Sequence, residues 1–344
     1  MRMINTPSME AIQSRLIDPM QRTVGYLRVS VTDRCNFRCS YCHPTEDWSP
    51  TERENILSME EITRFVGWMV EQGVRKVRLT GGEPLIRKGI VSLVHSLKRI
   101  SGLEEVVMTT NGVMLERLAQ PLRDAGLDRL NVSLDTLDET NFERVTRGGH
   151  LATVLDGLRA ADAAGFTGTK LNAVLLDEVS SEERKAFVEF CWSRGYTPRF
   201  IELMPIGNLD YQHASHSLST IEVLGEFERQ YDLVEDERPH GTVGPAKYWV
   251  VSSGPHRGNR LGTISPMSDG HFCGTCNRVR LTAAGALRGC LGSDNEVQLL
   301  QDIRNDRRDE CLSHVRKALN MKAASHLMTQ PGFVPLSAMT GIGG

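Results

Sequence analysis

The sequence predicts a mostly parallel α/β protein, and three features carry that expectation. Short apolar runs alternate with longer amphipathic ones over the first two-thirds of the chain, helix-capping signals fall between them, and polar residues recur at every second position where the short runs end. Strands are expected over residues 26–31, 76–80, 106–110, 129–134, 169–175 and 199–204. Between them, Ser58 followed by Glu61 reads as a capping box opening a helix to about Gln72, and Ser180 with Glu183 opens another. Gly126 and Gly165 read as helix stops. Six strands separated by helices imply a parallel sheet, and both an open doubly wound sheet and a partial barrel fit that rhythm.

The strand ends say more. Arg78 and Thr80, Thr109 and Asn111, Asn131, Ser133 and Asp135, Lys170 and Asn172, and then Glu202 lie toward the C-terminal ends of their runs. A period of two puts each set on one face. A dry core would have to supply a buried partner for every one of them. The C-terminal mouth of a barrel, where barrel enzymes carry their sites, accommodates such a ring of polar groups; solvated strand ends are the bland alternative. After Pro205 the rhythm breaks into a polar stretch through His216, followed by a helix-like segment over 220–231. A boundary is expected near 239–244, then two strands, helical segments reaching about Met328, and a flexible tail, Gly341-Ile342-Gly343-Gly344. The chain thus divides into an N-terminal extension (1–25), a barrel (26–240) and a C-terminal domain (241–344).

With 344 residues, 40% hydrophobic and 24% charged, the chain falls among ordinary globular proteins, and neither disorder nor a membrane protein is suggested. Forty basic against forty-three acidic side chains leave a net charge of −3, which argues against a surface built to bind nucleic acid. The first twenty residues hold no apolar stretch resembling a signal sequence, so the cytoplasm is the expected compartment. Eight cysteines in that setting point to metal or redox chemistry rather than disulfides. Six fall in two tight groups, while Cys191 and Cys311 stand alone in helix-like stretches and read as small buried hydrophobes.

The first group, Asp33-Arg34-Cys35-Asn36-Phe37-Arg38-Cys39-Ser40-Tyr41-Cys42, directly follows the first strand. Three thiolates on one loop hold three corners of a cubane and leave the fourth iron open to a ligand. A structural zinc is the alternative, but it wants four ligands and usually two separated pairs. This C-x3-C-x2-C loop, with the aromatic Tyr41 before its last cysteine, resembles the signature of the radical S-adenosylmethionine superfamily. The resemblance implies that the open iron chelates the amino and carboxylate groups of S-adenosylmethionine and that one electron then releases a 5′-deoxyadenosyl radical. Thr80-Gly81-Gly82-Glu83-Pro84 looks like the segment that receives the methionine amino group, its glycines letting the backbone approach a ligand. By resemblance, Tyr41, Gly82, Ser133 and Met204 contact S-adenosylmethionine.

The second group is Cys273, Cys276 and, thirteen residues beyond, Cys290. On spacing alone a zinc knuckle completed by His271 or His256 stays open. Arg278 and Arg280 fall on one face of an expected strand just after the thiols, and two guanidiniums there suit an anionic substrate. Together with Asn277 before these arginines and the terminal Gly-Gly, both groups resemble the GTP 3′,8-cyclase family, the molybdenum cofactor biosynthesis protein A family, over nearly the whole chain. The resemblance implies a partial (βα)6 TIM-like barrel closed by a smaller C-terminal α+β domain, with a [4Fe–4S] cluster at each end of one cavity. It implies GTP contacts from Arg28, Arg78, Thr109, Lys170, Arg278, Val279 and Arg280, with Arg278 and Arg280 also catalytic. A triphosphate brings about four negative charges and the chain has no Walker loop to cradle it, so converging Arg and Lys side chains are the expected substitute.

The implied reaction is that of a lyase of molybdenum cofactor biosynthesis: the radical takes the ribose C3′ hydrogen of GTP, and C3′ bonds to guanine C8, giving 3′,8-cyclo-7,8-dihydro-GTP. Implied partners are a flavodoxin- or ferredoxin-type reductant and a transient hand-off to cyclic pyranopterin monophosphate synthase, with no nucleic acid or membrane, in a monomer or homodimer. The terminal glycines are implied to enter the cavity. The chain departs from the family in having His43-Pro44 where Met-Pro is common, and it matches weakly between Pro205 and Thr220. Two other readings stand beside this one: a radical S-adenosylmethionine peptide-modifying enzyme with an auxiliary cluster, whose C-terminal domain would carry more cysteines, and a zinc-stapled nucleic-acid binder, which would carry a basic surplus.

Overall fold

A computed structural model describes residues 15–42, 49–206, 217–236, 244–330, 333 and 339–342. His43-Pro44, most of the 205–220 loop, the boundary residues 239–243, Gly343 and Gly344 lie outside the described residues.

The expected alternation is present as six parallel strands in sequence order: β1 (Tyr26–Ser30), β2 (Lys76–Thr80), β3 (Glu105–Thr110), β4 (Arg129–Ser133), β5 (Lys170–Val174) and β6 (Thr197–Ile201). Their sequences explain their orientation. Tyr-Leu-Arg-Val-Ser, Lys-Val-Arg-Leu-Thr and Arg-Leu-Asn-Val-Ser each alternate polar with apolar. Leu27, Val29, Val77, Leu79, Leu130 and Val132 are fully or almost fully buried in one apolar core with the surrounding helices, which leaves the polar set facing inward. The last strand starts two residues earlier than expected. Pro198 cannot donate to a ladder, yet it sits beside Leu171 in the parallel pairing and is tolerated there. The strand ends at Ile201 because the next residue, Glu202, turns its carboxylate to Thr220, Met267 and Ser268.

The outer layer comprises α1 (Met59–Glu71), α2 (Ile90–Lys98), α3 (Leu115–Asp124), α4 (Glu139–Thr146), α5 (Leu151–Ala163) and α6 (Ser181–Ser193), followed by α7 (Thr220–Glu228). Both expected capping boxes are formed, and Ser219 with Glu222 makes a third on α7. Gly126 and Gly165 follow α3 and α5 in the left-handed region, at φ 95° and 80°.

The C-terminal third does not make a sheet of its own. β7 (Leu233–Glu235), β8 (Lys247–Val251) and β9 (Arg260–Ile264) extend the β6 edge, with β9 parallel to β6. β10 (Arg278–Leu281), β11 (Ala286–Arg288) and β12 (Glu296–Gln298) extend the β1 edge, with β10 parallel to β1. Among the described residues the result is one twelve-stranded sheet, curled into a partial barrel with C-terminal strands on both flanks. α8 (Leu300–Arg304) packs on α1 and on α9 (Arg308–Asn320), and α9 packs beneath β11 and β12. Cys191 on α6 and Cys311 on α9 are fully buried among apolar side chains. The tail differs from expectation in its described part: α10 (Met339–Ile342) is a helical turn held by Ile342, which packs on Ile206 and Met328. Among the described residues no helix is long and apolar enough to cross a membrane.

Candidate active site

The two cysteine groups occupy opposite ends of the same strand pair. Cys35, Cys39 and Cys42 follow the C-terminal end of β1, whereas Cys273 and Cys276 precede the N-terminal end of β10, and the two strands run parallel from Tyr26↔Arg278 to Val29↔Leu281. At about 3.3 Å per residue, that ladder separates the two ends by about 15 Å. Arg28 and Arg280 are register partners within it, lying between the groups. A single cavity of about 720 Å³ is lined by all six cysteines.

The inward parity holds around the barrel. Arg78, Thr80, Thr109, Asn111, Asn131, Ser133, Asp135, Lys170, Asn172 and Glu202 all line the cavity, together with Arg28, Tyr41, Gly82, Met204, Arg278 and Arg280. Val279 does not. Its side chain is buried in the apolar core with Leu27 as its register partner. Lys76, Arg129, Arg199 and Arg260 also line the cavity, as do Tyr26 and Tyr248. Lys76, Arg129 and Tyr26 were available from the same period of two, continued to the start of each strand. Tyr248 arrives on β8 from the far flank, where no local pattern announces it.

The cavity is polarised along the strands. Among the described residues nine arginines and lysines line it, all on strands, against three carboxylates, Glu83, Asp135 and Glu202, all beyond strand ends. Arg78 donates through Nη1 to Thr109 Oγ1 at 2.8 Å and through Nε to the Tyr26 hydroxyl. Lys170 donates to the Tyr248 hydroxyl at 2.9 Å, and Arg199 donates to Asn172 Oδ1 at 2.9 Å through Nε. Burial opposes a charged Arg28, and Arg280 beside it lowers its pKa further. Burial and then Arg278 bring Arg280 down to about 10. Burial pushes the two phenols up, but their cationic neighbours overcome it, bringing Tyr26 to about 7 and Tyr248 to about 8. Cations that depress one another in this way are stabilised by an incoming polyanion.

Gly262 on β9 makes room for this belt. A Cβ there would lie 2.7 Å from Arg199 Cγ and 3.0 Å from Tyr248 Cε1. Gly262→Ala is therefore expected to displace both side chains and weaken polyanion binding by roughly tenfold, the worth of one charge-assisted hydrogen bond. Calorimetric titration with inorganic triphosphate checks this.

The glycine segment after β2, which lines the cavity, also has a packing reason for its glycines. A Cβ on Gly81 would meet Thr32 O at 2.5 Å, and one on Gly82 would meet Arg34 O at 2.0 Å. Gly82 N donates to Thr32 O and Glu83 N to Arg34 O, both at 2.8 Å, so the segment is zipped backbone to backbone onto the base of the first cysteine loop. Glu83 then accepts from Leu85 N, Thr110 Oγ1 and Asn111 N; burial raises its carboxyl to about 7 against the pull of these donors. Tyr41 donates to Asp135 Oδ2 at 2.8 Å, and burial raises Asp135 to about 6.

The donor sets fit iron–sulfur cubanes. Thiols spaced around a cavity wall suit a cluster in which each binds a different iron. Cys35 Sγ accepts from Phe37 N at 3.4 Å. Burial raises Cys35 to about 11 and Cys42 to about 12, with Cys39 also well above the usual thiol range, so iron, not solvent, must displace these protons. Burial also acts upward on Cys276, but Arg278 and Lys322 pull it below the usual range.

Fold and site together define a radical S-adenosylmethionine enzyme with an auxiliary metal centre. Residues 29–191 match the Radical SAM superfamily, and residues 196–328 match Molybdenum Cofactor Synthesis C. A GTP 3′,8-cyclase of Pseudomonas fluorescens is 47% identical over 290 residues, covering 84% of this chain and 86% of that protein. GTP 3′,8-cyclase 1 of Pseudomonas aeruginosa is 44% identical, covering 92% and 95%, and the Mesorhizobium japonicum GTP 3′,8-cyclase is 42% identical, covering 90% and 93%. Among solved structures, Streptococcus suis SuiB bound to S-adenosylmethionine shares the fold with a TM-score of 0.58 at 15% identity, covering 85% of this chain and 68% of that one. The chain belongs to the GTP 3′,8-cyclase family of the radical SAM superfamily. Its cofactors are those of the family, S-adenosyl-L-methionine and two [4Fe–4S] clusters.

Proposed function

We propose that this protein is a GTP 3′,8-cyclase of molybdenum cofactor biosynthesis, with Cys35, Cys39 and Cys42 holding the cluster that binds S-adenosylmethionine and Cys273, Cys276 and Cys290 holding the auxiliary cluster. The observation that carries it is the belt of strand-borne cations in a single cavity that reaches both cysteine groups. Bound at the first group, the cluster and S-adenosylmethionine would supply a 5′-deoxyadenosyl radical to take the ribose C3′ hydrogen, and one further electron and one proton would complete the C3′–C8 bond to guanine.

The chain's own residues bind and orient. Tyr41, Gly82, Ser133 and Met204 receive S-adenosylmethionine at the mouth. Arg78, Lys170 and Thr109 hold the triphosphate from one side, joined by Lys76 and Arg199. Arg28, Arg278 and Arg280 hold the nucleotide between the two cysteine groups; Val279, with its side chain in the core, can contribute only backbone atoms. A flavodoxin- or ferredoxin-type protein supplies single electrons, and the product passes to cyclic pyranopterin monophosphate synthase.

Incubation of the anaerobic, reduced protein with S-adenosylmethionine and GTP should yield 3′,8-cyclo-7,8-dihydro-GTP by mass spectrometry; 5′-deoxyadenosine with unaltered GTP would sink the assignment. Arg78→Ala and Arg280→Ala should each weaken GTP binding by roughly ten- to a hundredfold and reduce its salt sensitivity, since each removes about 1.5–3 kcal/mol of charge-assisted hydrogen bonding. Unchanged affinity in both variants would move the substrate elsewhere.

A further inference from the structure

A buried lysine outside the cavity has no part in the reaction as described. Lys322, just beyond α9, has a side chain only 2% exposed, yet its ammonium donates at 3.1 Å to both Cys276 O and Arg278 O. Its counter-charge is Asp18, whose fully buried Oδ2 lies 3.6 Å away. Asp18 also accepts from Arg22 Nε at 2.6 Å, and Arg22 Nη1 donates to Cys273 O at 2.8 Å. Gly25 N donates to Asn277 O, between the two carbonyls that Lys322 holds, at 3.1 Å. The segment before β1, folded back on itself by the Ile17↔Thr23 bridge, therefore joins Lys322 in gripping the second cysteine loop by its backbone. On the other side Gly289, next to Cys290, leaves space for the lysine stem: a Cβ there would lie 3.1 Å from Lys322 Cβ.

Neutral donors would satisfy these carbonyls without the cost of burying an ammonium and a carboxylate. A full charge placed against the loop acts on whatever charge that loop holds, and in a poorly solvated site it acts strongly. We propose that Asp18, Arg22 and Lys322 are positioning residues that form an ionic clasp on the second cysteine loop, and that the balance of its charges sets the electron affinity of the cluster held there. This rests on the assignment of Cys273, Cys276 and Cys290 as cluster ligands. Lys322 favours the reduced cluster and Asp18 opposes it, so removing each charge shifts the reduction potential in opposite directions. The same lysine holds the backbone of Arg278, linking the orientation of a substrate guanidinium to the clasp.

The test uses full-length protein carrying Cys35→Ser, Cys39→Ser and Cys42→Ser, reconstituted anaerobically so that only the second cluster is present. This parent should hold about four irons per chain; no iron would overturn the ligand assignment itself, separately from the clasp. The midpoint potential is then read by EPR-monitored titration in Lys322→Met, Lys322→Arg and Asp18→Asn. The clasp predicts a more negative potential for Lys322→Met, a more positive one for Asp18→Asn, and a value near the parent for Lys322→Arg. Equal potentials, or shifts of the same sign in Lys322→Met and Asp18→Asn, would reduce the clasp to a structural staple and overturn the proposal. If Lys322→Met loses its iron, Asp18→Asn decides alone: a positive shift supports the clasp, and no shift or a negative one refutes it.

Discussion

Replacement of Cys35, Cys39 or Cys42 with Ser is expected to bring 5′-deoxyadenosine formation down to background. The three thiols share one short loop and one cavity wall, and Ser in place of any of them leaves a harder, less easily ionised ligand where the cluster needs a thiolate. The neighbouring carboxylates give no help, since burial already holds Asp135 and Glu83 toward their neutral forms. The measurement is chromatographic quantification of 5′-deoxyadenosine under strong reductant. Full production from any one variant would remove the first loop from the chemistry.

The second expected result is an uncoupling. With Cys273, Cys276 or Cys290 replaced by Ser, iron should fall from about eight to about four per chain. Cleavage of S-adenosylmethionine should persist in part, because the first loop lies at the other end of the β1–β10 ladder, while the cyclised nucleotide is lost. Both products are measured in one reaction, and the ratio is the readout. If all three variants still cyclise GTP, the second group is only structural.

Much of this site was legible because β-strand parity is a short-range property. Arg78 and Thr80, or Asn131 and Ser133, share a face whatever the sheet does, and the hydrophobic partners between them fix which face turns inward. Capping boxes are equally local, which is why Ser58 with Glu61 and Ser180 with Glu183 read directly into helix starts. Long-range pairing was not legible. Nothing near residue 260 or 278 specifies that β9 joins β6 while β10 joins β1, and that placement brings Tyr248 and Arg260 to the cavity. The glycine pair after β2 shows the same limit from another side. Its sequence announces a close approach, but the approaching atoms are the carbonyls of Thr32 and Arg34, some fifty residues earlier.

The flanking of β1 and β6 by strands from the C-terminal third bears on how the molecule is made. A nascent chain that has just emitted β6 has two bare sheet edges, and the β1 edge waits for β10, about eighty residues later. At about 5–20 residues per second the ribosome takes roughly 4–16 s to deliver it. Open parallel edges recruit other chains, so this interval is when the protein most needs a chaperone's cover. The delay also carries a safeguard. The wall bearing Arg278 and Arg280 does not exist until β10 docks beside β1, and the last thiol, Cys290, emerges later still. A truncated or stalled chain can expose the first cysteine loop, but it has no closed chamber in which a radical could be steered to a nucleotide.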